Sequence, residues 1–396
     1  MSGTRTALVV GGGIAGPAVA MALQKAGIEV TVYERHPGGA DGVGSFLTLA
    51  ANGIDALRVL GADKPAIAAG FPTPSIRLRN AKGKHLGDTR TGPELPDGTG
   101  SHTMKRADLY TVMHDAAVGR GIDVVLGKRL VSASTVDSGV EATFADGSTA
   151  VADVLIGCDG VQSTVRRLID PAAPAPTYSG LITTGGYARG VKVDVAPGAY
   201  EMIFGRRAFF GYGAAPDGEV WWFSNVPARP EPTREALDRD WRADLMALHA
   251  GDAGPALPLI EATPDLLPMW SIHSIPHLPM WHRERMVVIG DAAHAPSPTS
   301  GQGASLSIED GVVLATCLRD LPSPEAAFAR FEALRRPRVE RIIKAAARIN
   351  NSKAAGPVGA AIRDAMMPLF LRMAARGGPD PTYDYRIDWD ASAVAA

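Results

Sequence analysis

Cysteine is almost missing from this chain: Cys158 and Cys317 are its only two, far apart among 396 residues. Neither falls in a metal-ligand spacing, which disfavours both a disulfide scaffold and a zinc site. Charge of one sign is missing too. The formal net charge is -2, so nothing draws the chain toward nucleic acid or an anionic membrane. The opening residues, MSGTRTALVV, have no signal-peptide layout. The apolar stretch Ala7 to Leu23 is broken by three glycines and Pro17, which favours a buried strand and helix over a membrane span. A cytoplasmic location is the expectation. Internal repeats and long low-complexity segments are also lacking. What is present, 46% hydrophobic and 21% charged residues, is the make-up of an ordinary globular protein. At about 150 residues per domain, the length suggests two or three structural units.

The stretch Thr6 to Arg35 organises the rest. An apolar run, Ala7 to Val10, passes through glycines into an Ala-rich segment ending at Gly27, and a second run, Val30 to Tyr33, delivers Glu34. That is strand, turn, helix, strand. Gly11-x-Gly13-x-x-Gly16 is the spacing of a dinucleotide site: a tight turn, a close approach of pyrophosphate to backbone, and close packing of helix on strand. The helix opening at Ile14 and Ala15 turns free N–H groups and its positive dipole end toward the phosphates. Glu34, with Arg35 after it, stands where a carboxylate accepts hydrogen bonds from a ribose. Pro17 lies in the first helical turn, where its missing N–H costs little. This stretch alone leaves NAD and FAD equally open.

Farther along, Asn52 can cap a helix bearing Ile54, Leu57 and Leu60. Residues 70 to 100 are rich in Pro, Gly and charge and read as an excursion from the first domain. A helix is predicted over Arg106 to Val118, with strands over Leu130 to Ser134, Gly139 to Phe144 and Thr149 to Ile156. Between the Pro-rich stretches Pro171 to Pro176 and Pro227 to Pro232, a Gly- and aromatic-rich region reads as β structure. Helices are expected over Arg234 to His249, Ser305 to Leu318, Pro324 to Asn350 and Val358 to Ala375. The basic residues beside the third of these, Arg335 to Arg348, read as a solvated face. The tail Tyr383 to Asp390 alternates aromatic and charged residues, and the C-terminal segment is expected to cover the substrate entrance or dock on the first domain.

Two more strand ends carry an acid before a helix: Asp159-Gly160 and Gly290-Asp291. With the Gly11 fingerprint, the chain from residue 1 to about 350 resembles the single-component aromatic hydroxylases of the para-hydroxybenzoate hydroxylase type. Gly11, Gly13, Gly16 and Glu34 match that family's FAD fingerprint. Cys158-Asp159-Gly160, with Ser163, Val165 and Arg166, matches its Asp-Gly motif, implicated in FAD and NAD(P)H binding. Gly290-Asp291 through His294, Pro298 and Gly301-Gln302-Gly303 matches its Gly-Asp motif, whose acid holds the FAD ribose. Arg106 matches an arginine that lies over the flavin.

The resemblance implies an α/β fold: a Rossmann-like FAD-binding domain (residues 1–70, 101–175 and 277–350), an inserted β-sheet substrate domain (71–100 and 176–276) and a C-terminal helical segment and tail (351–396). It implies FAD as cofactor and NAD(P)H as co-substrate, with oxygen transferred through a C4a-hydroperoxyflavin to an aromatic or polycyclic molecule, as in specialised metabolism. Hydroxylation is the default outcome and epoxidation the variant. A flavin-dependent reductase or dehydrogenase and a non-catalytic flavoprotein are the alternatives. A halogenase is disfavoured, because Ser271 to Pro276 lacks the two tryptophans of that signature. The helix opened by Gly301, Gln302, Gly303 and Ala304 is suited to stabilise negative charge at the flavin's pyrimidine edge. Asp159 and Asp291 each compete with a helix-cap reading, Arg106 with a salt bridge, and His294 reads as structural rather than catalytic. Among the aromatics from Tyr187 to Phe223, with alternate residues on opposite faces, Met202, Phe210, Tyr212 and Trp222, along with Pro298, are the substrate candidates. A monomer or homodimer is expected, with no nucleic-acid or membrane partner and no catalytic side chain beyond the flavin.

Overall fold

The computed structural model describes residues 3–39, 44–353, 356–376 and 380–394; part of the Gly-rich connection between His36 and Gly44 lies outside them. The opening strand, helix and strand fall at Thr6–Val10, Ala15–Lys25 and Glu29–Tyr33. They belong to a six-stranded sheet in the order His282–Arg283, Met286–Val288, Val154–Gly157, Thr6–Val10, Glu29–Tyr33, Asp123–Val125. Neighbours run parallel except the first pair. A parallel sheet is covered on both faces, which is why its strands read as unbroken apolar runs such as Ala7 to Val10. The register sets Val10 beside Gly157 and Gly157 beside Val288, so three strand ends distant in sequence share one edge.

Two expected elements divide. The stretch 149–156 is two strands: Thr149–Ala152 pairs with Gly139–Phe144 in a small antiparallel sheet, and Val154–Gly157 enters the parallel one. Asp153 marks the break, its carboxylate accepting from the N–H groups of Arg5 and Thr6 at 2.7 and 2.9 Å. The helix expected over 234–249 is Arg234–Leu237 and Arg242–His249. Between them Asp240 accepts from the Arg242 N–H at 2.9 Å, a local bond that interrupts one helix and starts the next.

The second large sheet has seven strands in the order Trp270–Ser274, Thr177–Ala188, Val220–Pro227, Phe209–Ala214, Tyr200–Phe204, Ser75–Asn80, His85–Arg90. Its residues alternate between two faces. One face carries Phe210, Tyr212 and Trp222 into a core with Leu245 and Leu259 of the helices Arg242–His249 and Ala256–Ala262. On the other, Tyr187, Trp221, Gly213 and Tyr200 lie in one row across the strands, Phe223, Gly211 and Met202 in the next, and Thr183, Asn225, Phe209 and Phe204 in a third.

The helix Pro324–Lys353 runs on through Pro337, and a last helix, Pro357–Arg376, lies on the seven-stranded sheet. There Asp364 accepts from Asn80 Nδ2 at 2.8 Å, and Met367 and Leu371 join the cluster of Phe204 and Phe209. Its outer side leaves Val358, Ile362, Leu369, Phe370 and Met373 exposed. The tail returns to the parallel-sheet region: Arg319 donates to the Trp389 carbonyl at 2.6 Å and Arg338 to that of Thr382 at 2.9 Å. Among the described residues, no helix is long and apolar enough to cross a membrane.

Candidate active site

The glycine fingerprint is built by contact. A Cβ on Gly16 would lie 2.0 Å from the Gly11 carbonyl oxygen, so only glycine lets the helix start against the strand end. Gly11 itself has φ +107, and a Cβ there would strike the Cys158 carbonyl at 2.4 Å. A Cβ on Gly13 would meet nothing within 4 Å, which leaves open space where the turn faces outward. The N–H groups of Gly13, Ile14 and Ala15 precede the first intrahelical bond, from Ala18 to Ile14 at 3.3 Å. An open cradle ringed by free donors at a helix N-terminus fits a pyrophosphate.

The three acids differ. Glu34 is 8% exposed and accepts from the N–H groups of Gly12 at 2.7 Å and His36 at 2.9 Å, one on each carboxylate oxygen. Arg35 beside it is exposed and donates to His36 Nε2 at 3.1 Å. Asp159 accepts from Ser163 Oγ at 2.5 Å and from the Thr164 and Val165 N–H groups at 2.6 and 3.1 Å. Ser163 is the N-cap of the short helix Thr164–Ile169, accepting from the Arg166 N–H at 2.9 Å, and Asp159 holds that cap and the helix's first two N–H groups; burial pushes its carboxyl up, against the lowering effect of those bonds. Gly160 follows at φ +76 with open space beside it. Asp291, just past Gly290, is open to solvent and accepts no hydrogen bond among the described residues. Although its side chain is exposed, desolvation by the protein around it raises its carboxyl from the ordinary value, while the positive potential of His294 and Arg106 lowers it. Asp291 is not a helix cap. Arg106 opens the helix Arg106–Val118, with its side chain exposed and against Gly44.

Close packing draws the motifs together. An ideal Cβ on Gly290 would lie 3.4 Å from the Ala15 Cβ, joining the Gly-Asp motif to the fingerprint helix. The helix Gly303–Asp320 crosses that helix at Gly311, where a Cβ would come within 2.8 Å of the Val19 nitrogen. Arg166, 2% exposed, donates to the Ala292 carbonyl at 2.9 Å and ties the Asp-Gly motif to the Gly-Asp motif. Pro298 is exposed in a short turn, and Gly301 follows at φ +60. The N–H groups of Gly303, Ala304 and Ser305 precede the first intrahelical bond, from Leu306 to the Gln302 carbonyl at 2.8 Å.

Asn52 does not cap its helix, which begins at Ala51 after Ala50. Its side chain instead donates to Gln302 Oε1 at 2.9 Å and Glu309 Oε1 at 2.6 Å. Asn52 Oδ1 and Gln302 Nε2 are buried without hydrogen-bond partners among the described residues, polar atoms left over beside the Gly301 to Gly303 loop. Such orphans at a helix N-terminus fit a polar ring system placed there. His294, 3% exposed, shares a 2.5 Å bond with Asp310 and packs on Trp281, as a structural histidine does.

The substrate candidates divide by face. Met202 lies on one face, packed with Leu78, Phe204 and Phe209 and with Met367 and Leu371 of the last helix, whereas Phe210, Tyr212 and Trp222 lie on the opposite face in the core with Leu245 and Leu259. Phe210 stacks on Trp222 at 5.3 Å, Trp222 Nε1 donates to Thr263 Oγ1 at 2.7 Å, and Tyr212 bonds Glu201 at 3.0 Å. Those three are core residues, and the expectation for them is corrected. Sequence reasoning missed Phe46, which packs on Tyr200, Trp221 and Phe223 at centroid distances of 6.2, 5.5 and 6.1 Å. The available signal was the alternation Phe210-Gly211-Tyr212-Gly213: the glycines leave room on one face for large rings of the neighbouring strands, here Phe223 and Tyr200, to lie across the sheet where Phe46 packs.

A family model described as FAD binding domain matches residues 4–346. The chain belongs to that family. It is 32% identical to the aurachin C monooxygenase/isomerase of Stigmatella aurantiaca over 349 residues, 87% of this chain and 88% of that one. It is 33% identical to the FAD-dependent urate hydroxylase of Klebsiella pneumoniae over 347 residues, 85% of this chain and 87% of the relative. The crystal structure of Klebsiella pneumoniae HpxO complexed with FAD and uric acid superposes with a TM-score of 0.83 at 26% identity, covering 95% of this chain and 97% of that one. This family member is an FAD-dependent monooxygenase of the aromatic-hydroxylase class, with NAD(P)H as co-substrate.

Proposed function

We propose that this monooxygenase inserts one oxygen atom of O2 into an aromatic or polycyclic small molecule of specialised metabolism, by hydroxylation or epoxidation, at the aromatic face of the seven-stranded sheet. The observation that carries this reading is the row of Tyr187, Trp221 and Tyr200 beside Phe223 and Met202, on the side where Phe46 packs. Relatives whose names specify aurachin C and urate support a planar ring substrate. When bound, FAD supplies the redox chemistry between NAD(P)H and O2. Gly11, Gly13, Ile14, Ala15 and Gly16 would hold its pyrophosphate, Glu34 and Asp291 its polar groups, and Gly301 to Ala304 its ring end; Arg35, Arg106, Gly160 and Pro298 border this path. The chain's own contribution is to orient the ring substrate, exclude water and present helix N–H groups where negative charge gathers.

The division into a discontinuous flavin domain, an inserted sheet domain and a C-terminal segment belongs to the same reading, as do a cytoplasmic location and a monomer or homodimer. The test is a screen of aromatic compounds against purified holoenzyme, following NAD(P)H consumption and product mass under 18O2. A compound that accelerates consumption and gains one labelled oxygen supports the reading. A substrate reduced or dehydrogenated without label would turn it into the reductase alternative.

A further inference from the structure

Lys353, the last residue of the helix Pro324–Lys353, reaches the third row of the aromatic face. Its ammonium donates to Asn225 Oδ1 at 2.7 Å and to Thr299 Oγ1 at 2.9 Å. It lies 4.2 Å from the Phe209 ring centroid and 5.8 Å from that of Phe223. Thr299 belongs to the turn Pro298–Ser300 just before Gly301, so the ammonium stands between the loop assigned to the flavin's ring end and the sheet assigned to the substrate. The stem keeps partial exposure, yet burial around the ammonium pushes it down to about 7. No carboxylate among the described residues pairs with it, and the nearby Arg363 and Asp364 pair with each other at 2.6 Å. Desolvating a cation without a counter-charge is costly, and the two neutral acceptors found among the described residues satisfy only two of its three N–H bonds.

We propose that Lys353 is the substrate's oxyanion anchor: it binds a carboxylate or phenolate oxygen of an aromatic ring laid against Phe223 and Trp221. Asn225 and Thr299 aim it, and the two phenylalanine rings keep water from competing. This deepens the monooxygenase reading and rests on it. It also narrows the substrate class to ring compounds bearing an acidic oxygen.

The test uses holoenzyme at neutral pH and three matched pairs: 2-naphthoate with 2-naphthamide, salicylate with salicylamide, and 4-nitrophenol with 4-nitroanisole. Binding is read from perturbation of the flavin absorption band and of tryptophan fluorescence. Wild type is expected to prefer the acidic member of at least one pair by about tenfold to a hundredfold, the worth of a charge-assisted bond in a dry site. The carboxylate and phenol pairs tell the two sources of oxyanion apart. Lys353→Met should erase the preference while binding the neutral members within about threefold of wild type, and Lys353→Arg should restore part of it. FAD content of each variant checks the fold. Equal binding of acidic and neutral members in wild type, silence from all three pairs, or a preference that survives Lys353→Met overturns the proposal. A wild-type protein that holds FAD but is never reduced by NAD(P)H would remove the monooxygenase reading instead, whatever the pairs show.

Discussion

Asp159 and Asp291 look alike in the chain, each an acid at the end of an apolar strand beside a glycine. The fold gives them opposite surroundings. Asp159 has both carboxylate oxygens engaged by Ser163, Thr164 and Val165, whereas Asp291 is exposed with neither oxygen engaged among the described residues. A carboxylate already saturated by its own helix has little left for a ligand, and one without partners keeps its lone pairs for one. Glu34 falls between them, with two backbone donors and further lone pairs open.

The sharpest way to break this contrast is Asp291→Ala. It should weaken FAD binding by about tenfold to a hundredfold with the apoprotein's Tm unchanged, as read by flavin fluorescence titration and calorimetry. Unchanged affinity would make Asp291 as structural as Asp159.

A buried acid with charged partners supplies the second test. Burial raises the Asp310 carboxyl, but His294 and Arg335 more than offset it and hold it at about 2, below its ordinary 3.8. A depressed carboxyl stabilises the fold above its unfolded pKa. The contribution, roughly 2 kcal/mol, should be fully present above pH about 4 and lost as pH falls through about 2. Asp310→Asn should lower Tm at neutral pH and flatten its fall across that window. An equally steep fall in the variant would assign acid sensitivity elsewhere.

Glu34→Ala should weaken FAD retention by about tenfold and also lower Tm slightly, because Gly12 and His36 lose an acceptor. The mixed effect would confirm its intermediate place. The smallest change is expected for Asp159→Ala: about 1 kcal/mol of stability from the lost bonds to Ser163 and the first helical N–H groups, with FAD affinity within about threefold of wild type. A larger effect on FAD than on Tm would reverse the contrast.

Much of the flavin side was legible in the chain because its signals are local. Gly11, Gly13 and Gly16 are read from spacing, and the structure shows each meeting a backbone or an open cradle. The helix Arg106–Val118 falls where its periodicity placed it. Asp153 and Asp240 were harder: each interrupts an element through a single side-chain bond that apolar periodicity does not register. Asn52 was misjudged for a related reason. Its position before an apolar run suggests a cap, but its partners, Gln302 and Glu309, lie some 250 residues away.

The same division holds for the molecule as a whole. Spacing along the chain was enough to specify a dinucleotide cradle, the order of the motifs and a β region rich in aromatics, since turns and strand periodicity depend on neighbours a few residues apart. Which face of that β region Phe46 packs on, which acid is left exposed without partners among the described residues, and that Lys353 reaches Asn225 and Thr299 had to await folding. Those facts depend on strand register and on contacts between distant segments; a shift of one residue in register would exchange Phe210, Tyr212 and Trp222 for Phe209, Trp221 and Phe223.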